Sequence, residues 1–487
     1  MKKLHIAIII IGIIFILLPA FHTNIWYDEA YTVAMETHSF QDIWTIGAND
    51  VHPVLYYFML KFINLIFGTN ILLYRLFSVV PVIILGILGF THIRKDFGDK
   101  TGILFSFLVF FLPGLTRYTT EIRMYSWAML FASVTAIYAY RLYKDKFSIK
   151  NFILFGLFSL ACAYTHYFGL MTSGIINLML FIYLLKNFKE KKKEFWMFII
   201  CAVIQVALYL PWLMIFISQT TSVVENGFWI TLKFPDTLLE VLTVEFVGRS
   251  YIMRYTTIIP IIILYIVIGI TIHKLRKEKE DIKPGILAIL VYVLVAFAAF
   301  LVSVIARPIL MDRYLLVDAG LLMFFIAYFL GRQEKKTASI ITCVIILIFS
   351  VITMIDAIKA NYSPSNDAML DYISENIQEN DSFLMYHDEI SGFAISVRHP
   401  GHMQYFHDYM NWGAGGAYDS FKPNIMRSSE LSEIMEVASG RIWVINISED
   451  ELKSEILDKY NAKLLERKEF QTTYNGYFFS FSLIEKK

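Results

Sequence analysis

Charge is what this sequence has little of. Only 17% of its 487 residues are Asp, Glu, Lys or Arg, against about 25% in an ordinary soluble domain. That shortfall excludes a soluble globular enzyme and a disordered tail. The 43 Lys and Arg nearly balance the 42 Asp and Glu, so there is no basic excess to draw in nucleic acid or an acidic polymer. Cysteine is scarce too. Cys162, Cys201 and Cys343 all fall in apolar runs, and an odd, membrane-embedded trio argues against a disulfide framework or a zinc site. An Asp-x-Asp sugar-nucleotide motif and a Walker-type loop are both missing.

What is present is apolar: 57% of the chain, gathered in long runs. Runs of about 20 such residues are long enough to cross a bilayer. They lie over roughly 4–22, 71–90, 101–116, 124–142, 152–167, 169–187, 195–217, 257–273, 285–305, 314–331 and 338–356. The first ends in Leu17-Leu18-Pro19-Ala20-Phe21-His22, without a small-x-small cleavage site, and is read as a retained span rather than a signal peptide. The fold class expected is therefore a polytopic all-α membrane protein with about 11 transmembrane helices over 1–356. A C-terminal extracytoplasmic α/β domain follows over 357–487.

Orientation follows from the placement of Lys and Arg. One set of loops holds most of them, including Lys2-Lys3, Arg94-Lys95, Lys144, Lys146, the tract Lys189 to Lys193, Lys274 to Lys283, and Arg332 to Lys336. The opposite set holds only Lys61, Arg117, Arg123, Lys233, Arg249, Arg254, Arg307 and Arg313. The first set is expected to be cytoplasmic, with the N-terminus. The long segments 22–70 and 218–256 and the C-terminal domain then lie outside the cell membrane. The apolar stretch Pro53 to Gly68 is too short for a span and would invert every later loop. It is read as a helix lying in the outer interface, with a shorter one over Thr37 to Ile46.

Polar residues beside a membrane are costly unless paired or functional, so they mark the candidate site. The first outer loop opens Trp26-Tyr27-Asp28-Glu29-Ala30-Tyr31 and continues Asp50-Val51-His52-Pro53-Val54-Leu55-Tyr56-Tyr57. The third-to-fourth connection reads Arg117-Tyr118-Thr119-Thr120-Glu121-Ile122-Arg123-Met124-Tyr125, and the ninth-to-tenth reads Arg307-Pro308-Ile309-Leu310-Met311-Asp312-Arg313-Tyr314. These acids and arginines fall on one expected side of the membrane, a setting suited to an anionic lipid headgroup.

These motifs resemble the GT-C integral-membrane glycosyltransferases, in the family 39 and aminoarabinose-transferase-like branch that includes the protein O-mannosyltransferases. The resemblance covers the first ten or so spans, and the acid pair is its most specific element. It implies a polyprenyl-phosphate-linked sugar as donor, a hydroxyl acceptor in the cell envelope (glycan, lipid or protein), and transfer at the outer face. The absence of nucleotide-sugar motifs agrees with that. By resemblance Asp28 is the general base, with Glu29 beside it. Arg123 grips the donor phosphate, with Tyr125 next to it, and the same role extends to Arg117 and Arg313. His52 contacts the donor, and Glu29, Asp50 and Glu121 contact substrate or hold a divalent cation where one is used. The sequence departs from the mannosyltransferases in having Val54 rather than a second proline after Pro53.

Each feature also has a plainer reading. Asp28 and Glu29 can cap a short helix and complement its dipole. Arg123 and Arg313 can anchor to bulk lipid phosphates. Arg117 and Glu121 have the spacing of a helical ion pair. His166 can be a satisfied interface histidine. His399, His402 and His407 lack tight metal-ligand spacing, and Gly413-Ala414-Gly415-Gly416 reads as a turn. Two other functions compete: a transporter or flippase of a polyprenyl-linked sugar, and a non-catalytic envelope-assembly protein. A transporter would more often show inverted repeats and mid-membrane charges; no clear repeat is found.

In the C-terminal domain, Asp367 to Glu379, Glu430 to Ala438 and Glu451 to Tyr460 have helical periodicity. Phe383 to Tyr386, Arg441 to Asn446 and Tyr477 to Phe481 read as strands.

Overall fold

The apolar runs become helices, as they must where no water is present to satisfy a free backbone. The computed structural model describes residues 1–144, 147–226, 230–247, 251–334, 336–387, 389–407, 424–471 and 478–486. Lys146, Arg249, Lys335, Tyr477 and the Gly413–Gly416 turn lie outside the described residues.

In chain order the principal helices are α1 (Lys2–Leu17), α2 (Tyr27–Thr37), α3 (Phe40–Asn49), α4 (Leu55–Phe67), α5 (Ile71–Leu88), α6 (Asp99–Phe111), α7 (Tyr125–Lys144), α8 (Ile149–Thr165), α9 (Tyr167–Lys186), α10 (Lys192–Asn226), α11 (Asp236–Thr243), α12 (Tyr251–Lys277), α13 (Lys283–Ile305), α14 (Ala319–Leu330) and α15 (Lys336–Asn361). A π turn at Gly89–Ile93 carries α5 on to Phe97, and a 3-10 stretch at Asp312–Asp318 leads into α14. Seven helical segments among the described residues are long and apolar enough to cross a membrane: Ile71–Phe97, α9, Lys192–Glu225, Tyr255–Lys277, α13, Asp312–Leu330 and α15. With α1, α6, α7 and α8 they occupy the places of the expected runs. The protein is a multi-pass membrane protein. α1, α6 and α8 are shorter, at 16, 13 and 17 residues.

The chain divides into two compact units. The first comprises Met1–Phe21, Val51–Tyr56 and Leu73–Ala357; the second comprises His22–Asp50, Tyr57–Leu72 and Ile358–Lys487.

In the first unit the helices differ sharply in burial. Asp312–Leu330 is 94% buried, whereas Lys192–Glu225 is 17% buried. The former is therefore the inner helix, packed on all sides, and the latter turns most of its apolar surface outward. Some of the polar groups on these apolar helices pair with one another. The His5 ring meets the Ser106 hydroxyl at 2.7 Å, and Ser106 donates to the Gly86 carbonyl at 2.7 Å. Gly12 and Gly86 both face the Phe110 ring, which fills the space where a Cβ would stand on either residue. This is how α1, α5 and α6 approach so closely.

In the second unit a six-stranded sheet is built from β1 (Ser382–Tyr386), β2 (Met403–His407), β3 (Ile425–Ser428), β4 (Gly440–Ile445), β5 (Ala462–Gln471) and β6 (Phe478–Lys486), in the order β3-β2-β1-β4-β6-β5. β3, β2, β1 and β4 run parallel; β6 is antiparallel to both β4 and β5. β1 lies in the interior of the sheet and is buried along its whole length, as expected of a parallel strand covered on both faces. Helices α16 (Ala368–Asn376), α17 (Glu389–Arg398) and α18 (Leu431–Val437) complete the layer. The buried Asp381 accepts from the Trp443 indole at 2.8 Å and pairs with Arg441 at 3.1 Å.

The sheet holds more strands than the sequence suggests. β2, β3 and β5 and helix α17 are additions to the expected set. The expected helix over Glu451 to Tyr460 is instead a single α turn at Glu449–Glu451 followed by a π turn at Leu452–Leu457.

Candidate functional site

The candidate residues fall in both units. In the second unit, Trp26 is the N-cap of α2, so Asp28 and Glu29 occupy its first turn. Acids there complement the positive end of the helix dipole. Glu29 is fully buried, and its carboxylate accepts from the Trp26 backbone N–H at 3.4 Å. The capping role anticipated for the acid pair is thus filled by Glu29. Asp28 is half-buried; its carbonyl accepts from the Thr32 hydroxyl at 2.9 Å.

One turn on, Tyr31 donates its phenol to the Asp50 carboxylate at 2.9 Å. Asp50 is the C-cap of α3 and is buried. The Tyr31 ring also meets Tyr57 edge-on at 6.1 Å and Phe393 at 5.5 Å, and Phe393 lies 5.5 Å from Tyr27. α2 is therefore held from two sides: by the loop acid Asp50, and by an aromatic side chain of α17. Aromatic pairs of this kind contribute about 0.5–1.5 kcal/mol each beyond area burial.

In the first unit the connection from α6 to α7 carries most of the cationic candidates. Arg117 pairs with Glu121 at 3.5 Å, so the ion pair allowed by their spacing is formed. Glu121 and Arg123 are both buried, and the Arg123 N–H donates to the Glu121 carbonyl at 2.7 Å. Tyr125 opens α7 and is the centre of an aromatic cluster. Tyr118 meets it edge-on at 5.8 Å, His166 lies at 5.8 Å, and Tyr314 stacks on it at 6.4 Å. Arg313 sits over both tyrosine rings, 6.0 Å from Tyr125 and 5.9 Å from Tyr314, within cation–π range. The His52 ring is 6.4 Å from His166, and the charges of Arg123 and Arg313 both act on that imidazole. The structure thus brings His52, Arg117, Glu121, Arg123, Tyr125 and Arg313 to one end of the helix bundle. Guanidinium groups with aromatic walls form a setting that suits phosphate oxygens, to which arginine's planar fork is matched.

Four residues around these motifs escape sequence reasoning. Arg75 is fully buried and donates to the Thr120 carbonyl at 3.2 Å, pinning the Arg117–Tyr125 connection from within α5. A lone arginine in an apolar run was its signal. Asp318 accepts from Thr172 at 2.7 Å. Glu245 accepts from the Tyr292 phenol at 2.6 Å, and its backbone carbonyl accepts from Gly114 N–H at 3.0 Å, just ahead of Arg117. Burial pushes the Glu245 carboxyl up to about 7. Phe393 had no local signal at all.

Among the described residues no group of three or more His, Cys, Asp or Glu is placed to hold a metal ion. His399 and His402 lie 5.9 Å apart, with His399 stacked on Phe383. His407, at the far end of β2, packs instead against Tyr386 and His387. The three cysteines are free.

A multi-pass helical bundle and a small mixed-sheet unit are the fold class expected from the sequence. The fold is similar to that of ArnT from Cupriavidus metallidurans. Against the apo form the TM-score is 0.65, with 99% of this chain and 97% of that chain covered at 11% sequence identity. Against the form bound to undecaprenyl phosphate it is 0.61, with the same coverage and identity. A more distant likeness, at TM-score 0.41 and 11% identity over 92% of this chain and 68% of that one, is to the Archaeoglobus fulgidus oligosaccharyltransferase in complex with zinc and sulfate. No protein-family profile and no curated protein matches the sequence.

Proposed function

We propose that this protein is an inverting glycosyltransferase that moves a sugar from a polyprenyl-phosphate donor to a hydroxyl acceptor of the cell envelope. The reaction takes place at the extracytoplasmic face of the plasma membrane. The observation that carries the reading is the likeness to ArnT along the whole chain, since one of the two ArnT structures holds undecaprenyl phosphate. The cluster of Arg117, Arg123 and Arg313 with Tyr125 and His52 supports it, because it offers cationic and aromatic groups of the kind a lipid phosphate needs.

In this reading Asp28 takes the proton from the acceptor hydroxyl, which is otherwise a poor nucleophile. The acceptor oxygen bonds to the anomeric carbon as the bond from that carbon to the phosphate oxygen breaks. The electron pair leaves with the polyprenyl phosphate, and the anomeric centre inverts. A phosphate leaves without a proton donor, so the main aid is positive charge where negative charge accumulates. Arg123 is the principal phosphate ligand, with Arg313 and Arg117 behind it. Glu29 and Tyr31 hold the start of α2, and with it Asp28, in place. Asp50 and Glu121 serve substrate contact or a divalent cation.

The test is Asp28→Asn in the full-length protein. Transfer from a polyprenyl-phosphate sugar is expected to fall by about 10²–10⁴-fold, the usual contribution of a positioned base, while undecaprenyl phosphate binding persists. Transfer at the parent rate would exclude Asp28 as the base.

A further inference from the structure

The first unit contains a cavity of about 720 Å³ at the end of the bundle opposite the arginine cluster. α7 runs from Tyr125, in that cluster, to Lys144. Its 20 residues put the two ends about 30 Å apart. The cavity lies between α7, α9, α13 and α14, and its deep walls are Ser133, Ile137, Ile176, Leu180 and Leu321, all buried. Its mouth is different. Tyr140, Tyr143, Tyr183 and Asn187 are half-exposed there, and Arg276 and Lys283 are exposed. Tyr143 and Tyr183 pack at 4.5 Å, with the Tyr183 phenol donating to the Tyr143 carbonyl at 3.2 Å, so this side of the mouth is braced.

We propose that this cavity holds one acyl chain of an anionic glycerophospholipid, with the lipid phosphate at Arg276 and Lys283. The volume falls within the range of about 300–1,000 Å³ typical of sites for small ligands. The interior offers almost nothing to a sugar or nucleotide, because its walls are aliphatic and aromatic. The rim offers what a headgroup needs. Tyrosines favour the level where tails meet headgroups, and two cations stand where an anionic phosphate would lie. Among the described residues Arg276 takes part in no ion pair, whereas its neighbours Lys144 and Lys274 are matched to Asp281 and Glu334. Charge complementarity therefore selects an anionic lipid over a zwitterionic one. The site uses none of the residues assigned to transfer, so it stands or falls separately from the proposed reaction.

The experiment uses the full chain, delipidated in detergent, then titrated with phosphatidylglycerol and separately with phosphatidylcholine. Binding is followed by native mass spectrometry and by the shift in thermal unfolding. Phosphatidylglycerol is expected to bind as a single tight equivalent and to raise the unfolding temperature; phosphatidylcholine should bind at least tenfold more weakly. The exposed double change Arg276→Glu and Lys283→Glu should weaken phosphatidylglycerol by roughly 30-fold or more, since each cation near an anionic surface is worth about fivefold. Ala136→Phe, which narrows the cavity from α7, should abolish the tight equivalent while leaving folding and undecaprenyl phosphate binding intact. Equal affinity for the two lipids, or phosphatidylglycerol binding untouched by both variants, would overturn the proposal. Occupation by undecaprenyl phosphate alone would do the same.

Discussion

Tyr31 donates its phenol hydrogen bond to the buried Asp50 carboxylate across 2.9 Å, joining the acidic helix α2 to the end of α3. A hydrogen bond to a charged acceptor contributes about 1.5–3 kcal/mol. Tyr31→Phe should therefore lower the stability of the second unit by about that amount, with the aromatic packing against Tyr57 and Phe393 retained. Thermal unfolding checks the first part. A loss of transfer larger than the loss of folded protein would show that the pair also positions Asp28.

Arg123→Ala should weaken undecaprenyl phosphate binding by about tenfold or more, the worth of one charge-assisted hydrogen bond. Isothermal titration or a competition assay reads this directly. Unchanged affinity would remove Arg123 from the phosphate site.

Arg117 and Glu121 form an ion pair at 3.5 Å, which gives Arg117 a structural partner. A double-mutant cycle with Arg117→Ala and Glu121→Gln should return a stability coupling of about 0.5–3 kcal/mol, the range for residues in direct contact. Arg117→Ala should also reduce donor affinity less than Arg123→Ala does. A cycle that closes to zero would mean that the two side chains do not act on each other.

Glu245 predicts a pH dependence. Burial raises its carboxyl from the ordinary value near 4.5 to about 7, so the folded protein holds this proton more tightly than the unfolded chain. The corresponding stabilisation is complete below about pH 4.5, declines as pH rises through 7, and is gone above that. Its size is on the order of 3 kcal/mol. Glu245→Gln should flatten this part of the unfolding-temperature profile between pH 5 and 8. A profile with the same slope in both proteins would show that another group is responsible.

Gly86→Leu should destabilise the first unit by about 1–3 kcal/mol, the usual cost of overpacking, because the Phe110 ring already occupies the space. Phe110→Ala in the same chain should recover part of the loss. The thermal stabilities of the two single variants and the double variant test the wedge.

The membrane helices were legible because a bilayer leaves little choice: a long apolar run without charges can satisfy its backbone only as a helix. The amphipathic helix α4 and the acidic turn of α2 were legible for a similar reason, since each is set by neighbouring residues. The sheet was harder. β5 reads Ala-Lys-Leu-Leu-Glu-Arg-Lys-Glu-Phe-Gln, a composition that suits a solvated helix as well as a strand, and only pairing with β6 decides. β2 and β3 are short, and their strand state depends on one another and on β1. At the candidate site the same divide holds. The Arg117–Glu121 pair follows from a spacing of four residues, whereas the contacts of Tyr31 with Phe393 and of Arg75 with Thr120 join residues far apart in sequence. No local pattern encodes them.

Among the described residues β5 closes one side of the sheet, with only β6 as neighbour. Along it Lys463, Glu466, Arg467, Lys468 and Glu469 carry charges of both signs. A free strand border invites a second molecule to dock along it, and clustered ionic side chains make such zippering expensive because each would have to shed its water. Copies crowded together in one bilayer should thus slide past one another at this border rather than polymerise.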